Sequence, residues 1–358
     1  MIEKISVTNF KSHALTEIEL GRVTAIVGPN GCGKTALLQA IYYLSLLETD
    51  SPNHVFRGNH SIPFLVRDGC ETFQLDAVGH VGSKEWHRKF SSDEASNEAW
   101  LRKQRIKSDE EPRPFDGAVY FKATSTALSS PSYTERIPPK IAANGKGLAS
   151  LIAYLILSDP KRHSLIEDAL RAIVPDVKQV RAKQTKIERQ EKKIISVNEK
   201  KFPYNETREV MGYELTFNTI GAKGVPAHAM SDGTLLVLGL LALLHSPASP
   251  QTILLDDVEQ GLHPLAQREL MQTLKKFATE HDRQIILTSH SPYIVDELEA
   301  QNVWVMSTDK EGVSHCKRLS DHPDAERALQ VLTTGEFLGA EGEDWVVPEN
   351  TPVEEAHA

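Results

Sequence analysis

The hydrophobic pattern changes its period twice within the first fifty residues. Met1 to Val7 alternates apolar and polar side chains, and residues 2–9 and 16–20 read as half-buried strands. Val23, Ala25, Ile26 and Val27 then run together, as in a strand covered on both faces. From Ala36 the apolar residues Leu37, Leu38, Ala40, Ile41, Leu44 and Leu47 recur at helical spacing. Further on, Phe64–Arg67 and Thr72–Val78 read as a hairpin turned at Asp68-Gly69. Residues 83–114 are polar and charged, with Trp86 and Trp100 as isolated aromatics, and predict an exposed excursion.

The pattern resumes at Gly117–Phe121, which reads as a strand, and at Gly147–Leu157, dense enough for a buried helix. Ser164 with Glu167 is a capping-box spacing, predicting a helix from there to Ile173 before Pro175. An apolar helix is expected over Leu235–Leu244, a strand before Asp256, a helix over Ala266–Phe277 and a strand over Gln284–Thr288. A strand pair near 302–318 and a helix from about Pro323 to Thr334 follow, and then an acidic flexible tail over 346–358.

Composition narrows the classes. Forty per cent apolar residues in 358 suffice for a large core, and a net charge of −9 argues against a chain coated for nucleic acid. No run of about 18 apolar residues predicts a membrane span, and the amino-terminal strand pattern lacks a signal peptide's apolar region. Cys32, Cys70 and Cys316 are too few and scattered for a disulfide framework or zinc site, so a reducing cytoplasm is expected. One segment departs from the acidic average: residues 178–201 carry nine lysines and arginines against Glu188, Glu191 and Glu199. That excess either tracks a phosphate backbone or is the wet face of two strands; no aromatic is interleaved for base stacking.

Chemistry enters between the buried strand and its helix. Gly28-Pro29-Asn30-Gly31-Cys32-Gly33-Lys34-Thr35 fits G-x-x-x-x-G-K-[ST] and predicts nucleoside triphosphate binding. Such a loop turns backbone N–H groups onto phosphates, Lys34 reaches the β/γ-phosphates, and the Thr35 hydroxyl meets Mg²⁺. A second strand ends in Asp256-Asp257, which predicts Asp256 on the metal side and Asp257 on the side of the attacking water. A third ends at Ser289-His290, placing His290 where open α/β sheets bind ligands.

Asn9-Phe10-Lys11-Ser12, Ser231-Asp232-Gly233-Thr234, Asp256-Asp257 with Gly261-Leu262-His263-Pro264, and Thr288-Ser289-His290 together resemble the ATPase heads of the RecF, SMC and OLD group. The resemblance covers residues 1–310 and implies an α/β fold: an ABC-type head with a mixed or antiparallel sheet and a compact insertion, without a long coiled coil. It implies insertions about 83–114 and 176–225, and an extension over 311–345. It also implies two heads closing on two ATP molecules, with Ser231 and Gly233 reaching the partner's nucleotide and Lys11 and Ser12 helping to hold their own. Ser231 is equally a good helix cap.

Three positions depart from the family's pattern. Asp257 stands where glutamate is usual, which predicts slow hydrolysis unless Glu259 or a backbone shift compensates. No secure glutamine serves as γ-phosphate sensor, and Phe121–Ser130 is its expected place. Cys32 replaces a common serine, with a thiol whose pKa Lys34 lowers and phosphates raise. The 68 residues after His290 leave no room for the OLD nuclease domain. Such short heads resemble ATPase subunits of bacterial antiviral pairs, whose separate effector is often a nuclease. The leading expectation is thus an ATP-driven dimeric switch gating an effector or DNA contact through 178–201; the alternatives are a RecF-like repair ATPase and an ATP-stapled scaffold.

Overall fold

The computed structural model describes residues 1–94, 118–197, 200–247 and 249–348. They form two compact units: Met1–Tyr120 with Pro250–Glu259 and Leu274–Ala358, and Phe121–Ser249 with Gln260–Thr273.

The first unit holds two sheets. Strands β1 (Ile2–Phe10), β2 (His13–Glu19), β4 (Gln74–Val81) and β5 (Lys84–Ser91) form an antiparallel sheet in the order β2-β1-β4-β5. A second sheet takes β3 (Val23–Val27), β6 (Val119–Phe121), β10 (Thr252–Leu255), β11 (Gln284–Ser289), β12 (Val303–Thr308) and β13 (Ser314–Arg318) in the order β13-β12-β3-β11-β10-β6. Its β10, β11, β3 and β12 are mutually parallel, while β13 returns antiparallel on β12. The continuous apolar runs fit: β3, β10 and β11 are buried throughout. The helix Lys34–Leu46 shares one apolar cluster with both sheets: Leu37, Leu38 and Ile41 belong to it with Ile5, Phe73, Ile26, Leu254 and Ile286.

Five sequence expectations are corrected. The hairpin lies one element later: β4 turns into β5 at Gly82 (φ 61°), whereas Ile62–Phe64 is a 3-10 turn and Val66 only bridges Phe10. Pro63 limits that stretch as a strand. Trp86, expected on an exposed excursion, points inward from β5 and is 5% exposed; Trp100 lies outside the described residues. The helix near Ser164 starts earlier, at Pro160, because Asp159 caps it by accepting from the Arg162 N–H. In place of a helix over 323–334 there are two, Ala325–Ala328 and Thr334–Glu341, the second opened by a Thr333/Glu336 capping box. The boundary expected at residue 310 falls inside the β12–β13 hairpin, so β13 belongs to the parallel strands' sheet.

In the second unit, β7 (Val177–Val197) and β8 (Lys200–Thr219) form a long antiparallel ribbon, with β9 (Val225–Pro226) on β8. Val177, Val180, Leu215 and Phe217 are buried at its base. The helices Leu148–Ser158, Pro160–Ile173 and Asp232–Leu244 supply the rest of that core, the first and last apolar on nearly every side.

Candidate nucleotide-binding site

The phosphate-type loop runs from the end of β3 into the helix Lys34–Leu46, the strand, loop and helix order that the motif requires. Two glycines are dictated by geometry. Gly28 has φ 144°, and a Cβ there would lie 2.1 Å from the Met306 carbonyl oxygen of β12. Gly33 has φ 103°, and a Cβ would meet Ser314 Oγ at 2.6 Å, His13 Nε2 at 2.8 Å and Ser12 Oγ at 2.9 Å. Asn30 and Gly31 are exposed at the loop tip. Lys34 is 5% exposed and its ammonium donates to the carbonyls of Gly28 (2.8 Å) and Pro29 (2.9 Å). The Cys32 side chain is buried, and burial pushes its thiol pKa up against the weaker opposite pull of Lys34. That outcome disfavours a thiolate and with it a redox role.

The β1–β2 turn is fitted to this loop. Asn9 (φ 53°) and Lys11 (φ 52°) adopt left-handed conformations, sparsely used by lysine. Lys11 Nζ donates to Gln39 Oε1 at 2.5 Å. Ser314 Oγ donates to Ser12 Oγ at 2.7 Å. His13 is fully buried, with Nε2 3.1 Å from the Gly33 carbonyl and Nδ1 2.8 Å from Thr16 Oγ1. Because a carbonyl only accepts, Nε2 carries the proton and Nδ1 accepts from the threonine. Desolvation lowers the imidazole pKa to about 4, so it is neutral at pH 7. His13 went unremarked in the sequence reading: a histidine two residues after Lys11 carries no motif of its own.

At the adjacent carboxyl ends of β3, β11 and β10, hydroxyl groups converge on Asp256. Thr35 Oγ1 donates to it (3.0 and 3.2 Å to the two oxygens), Thr288 Oγ1 donates to Oδ1 (2.8 Å) and the Tyr120 phenol donates to Oδ2 (2.8 Å). The Asp257 N–H in turn donates to Thr288 Oγ1 at 2.9 Å. Asp257 has φ 50°, a left-handed conformation that aspartate tolerates better than glutamate. Its half-exposed carboxylate lies 3.8 Å from His290 Nε2. Glu259 Oε1 accepts from the His290 backbone N–H at 2.7 Å, and Glu259 Oε2 is buried without a partner. Thus Lys34, Thr35, Asp256, Asp257 and His290 follow the adjacent carboxyl ends of β3, β10 and β11. The stretch Phe121–Ser130 contains no glutamine; the group that contacts Asp256 is Tyr120, one residue earlier, marked in the sequence only as a polar-tipped aromatic closing an apolar strand.

In the second unit, Ser231 caps the helix Asp232–Leu244: its Oγ accepts from the Thr234 N–H at 3.3 Å and contacts Thr234 Oγ1 at 2.8 Å. Ser231 and Asp232 are exposed, but Gly233 is buried, and a Cβ on it would stand 2.2 Å from the Gly261 carbonyl oxygen. Packing against Gly261 therefore requires the glycine independently of any nucleotide.

Residues 23–296 match the family described as "AAA domain, putative AbiEii toxin, Type IV TA system". The chain belongs to that AAA-domain family. Among curated proteins, a segment of 75 residues is 46% identical to the DNA replication and repair protein RecF of Chlorobaculum parvum, covering 21% of this chain and 18% of the relative. A segment of 42 residues is 50% identical to the DNA double-strand break repair Rad50 ATPase of Methanopyrus kandleri, covering 12% of this chain and 5% of that protein. The matches thus span under a fifth of those relatives' lengths. The fold resembles an Smc head bound to the C-winged helix domain of ScpA (TM-score 0.56, 16% identity, 92% of this chain and 99% of the other). It also resembles a Pyrococcus furiosus Smc head with an extended coiled coil, bound to the C-terminal domain of ScpA (0.53, 14%, 92% and 99%). This member of the AAA-domain family therefore has the fold of an Smc-type head and shares a short segment with RecF. Among its described residues, no helix is long and apolar enough to cross a membrane.

Proposed function

We propose that the chain is an ATP-driven switch in which two heads close on two nucleotides and the closed state gates a separate effector. The observation that carries this reading is the hydroxyl and carboxylate network joining Thr35, Asp256, Thr288 and Asp257 across adjacent strand ends. Within it, the loop amides of Asn30, Gly31, Cys32 and Gly33 and the Lys34 ammonium hold phosphates. Thr35 and Asp256 are oxygen donors already within 3.0 Å of each other, which suits Mg²⁺, an ion held through one or two carboxylates plus substrate phosphate. Among the described residues no cluster of three or more His, Cys, Asp or Glu side chains would make an all-protein metal cage. When bound, the ion neutralises charge on the phosphates.

Asp257 orients the attacking water, and His290, tied to Glu259 through its backbone N–H, donates to the γ-phosphate. Lys11 and Ser12, placed against the loop by Gln39 and Ser314, back the nucleotide. Ser231 and the amide of Gly233 cap the partner head's nucleotide, a reading supported by the exposure of Ser231 and Asp232 at the N-terminus of the helix Asp232–Leu244. The short Asp257 favours slow turnover, and its left-handed backbone supplies a reason for aspartate there.

A family described by a putative toxin of a type IV toxin–antitoxin system supports a defence role; the proposal adds a separate effector, of nuclease type, and a cytoplasmic setting. The RecF and Rad50 segments favour a second reading, a DNA-repair head contacting DNA through the ribbon. Lys34→Ala separates both from a nucleotide-independent role: ATP binding and protection against phage, or survival of DNA damage, should vanish together. Biological activity persisting in a variant that binds no ATP would refute the switch.

A further inference from the structure

We propose that Tyr120 is a positioning residue of the divalent-cation site, clamping Asp256 from the side opposite Thr288. The inference rests on the reading of Asp256 as the metal-side carboxylate. Thr288 donates to Oδ1 at 2.8 Å and Tyr120 to Oδ2 at 2.8 Å, so each carboxylate oxygen has its own fixed donor. Thr35 is the third donor, bridging both oxygens at 3.0 and 3.2 Å. Were Thr35 to hold the ion through its hydroxyl oxygen, its own hydrogen bond to Asp256 could be given up. Tyr120 and Thr288 then remain as the pair that fixes the carboxylate plane, each by an O–H that need not move.

The phenol is well placed to stay a donor. Burial, and then Asp256 itself, push its pKa above the ordinary tyrosine range. Its ring is held by Tyr42 of the helix that follows the phosphate-type loop, with centroids 5.8 Å apart. Strand β6, which carries it, neighbours β10, whose end presents Asp256. The chain thus places a rigid, two-torsion donor beside the metal-side acid, immediately before the stretch that contains no glutamine. Partners of this kind, which orient a metal-binding carboxylate, typically contribute 10- to 100-fold to metal affinity, on the order of what is expected here.

The test uses the full chain with Mn²⁺ and ADP, reading bound Mn²⁺ by electron paramagnetic resonance, alongside ADP binding in EDTA and the thermal midpoint. Tyr120→Phe should weaken Mn²⁺ binding roughly tenfold, leave metal-free ADP affinity within about twofold, and raise the Mg²⁺ concentration giving half-maximal turnover by a similar factor. Thr288→Val should weaken Mn²⁺ as well, and Asp256→Ala should abolish the bound signal. If Asp256→Ala loses Mn²⁺ while Tyr120→Phe binds it as the parent does, Tyr120 has no positioning role and the site assignment stands. If Asp256→Ala keeps Mn²⁺, the site assignment itself falls. A Tyr120→Phe chain that loses metal, metal-free ADP and thermal stability together would reduce Tyr120 to a packing residue and overturn the proposal.

Discussion

The strand ends around Asp256 and the β7–β8 ribbon are both rich in polar side chains, yet they are organised in opposite ways. Around Asp256, hydroxyl groups from a helix start and two strands, Thr35, Thr288 and Tyr120, donate to a single half-buried carboxylate. On the ribbon, long charged side chains face solvent and pair across strands: Lys183 with Glu214 at 3.5 Å and Lys186 with Glu209 at 2.8 Å. A buried network loses much when one member is removed, because the others are left unsatisfied. Exposed pairs lose little, because water replaces the partner. The lesson is that the first region specifies a geometry, whereas the second carries charge that a ligand can redistribute.

The largest expected effect tests the first region directly. Lys34→Ala should weaken ATP binding by at least about 100-fold, since it removes a charged donor to phosphate, and isothermal calorimetry measures it. An unchanged affinity would break the contrast outright. Next, Asp257→Asn should nearly abolish steady-state hydrolysis while leaving ATP binding intact. Asp257→Glu should speed turnover if the missing methylene limits it, with about 1 kcal/mol of lost stability from placing glutamate at a left-handed φ. A slower Asp257→Glu enzyme would show instead that the backbone is matched to aspartate.

His13, bonded to the Gly33 carbonyl, gives the phosphate-type loop a pH signature. The unfolded chain takes up the imidazole proton near pH 6.5, whereas the folded chain takes it up only at about 4. Stability is therefore fully present above pH 6.5 and declines between 6.5 and 4, by roughly 3 kcal/mol from this group. Denaturant midpoints at pH 7 and 4.5 measure the fall, which should flatten in His13→Gln. An equal fall in that variant would assign the acid sensitivity to other groups.

The smallest effect on stability belongs to the ribbon. Lys183→Gln with Lys186→Gln should change the unfolding free energy by less than about 1 kcal/mol. If DNA is a ligand, the same pair should lower the salt dependence of binding by about two released counterions. A large stability loss there would erase the distinction between the two regions.

The site was legible where one residue type is forced by chemistry in a fixed local order. Gly28 to Thr35, Asp256-Asp257 and His290 lie at consecutive strand ends, and apolar runs announced those strands. Tyr120 and His13 were not legible because each acts on a partner far along the chain, Asp256 and Gly33, through one hydrogen bond without a spacing rule. Gly233 was read for its nucleotide role, and its contact with Gly261 depends on backbone proximity that no local pattern encodes. The ribbon's basic excess was legible on β7, but the acids Glu209 and Glu214 that face it became visible only through the strand register. The hairpin expected at Asp68-Gly69 failed similarly, since a favourable turn pair does not decide which strands pair.

The most direct test of the central claim is the mass of the Asp257→Asn chain in solution with and without ATP and Mg²⁺. The account predicts a mass that doubles on ATP addition, and no doubling once Lys34→Ala or Ser231→Arg is added to that background. A chain that hydrolyses ATP at a rate strictly proportional to its concentration, while its mass never changes with nucleotide, would contradict the composite site.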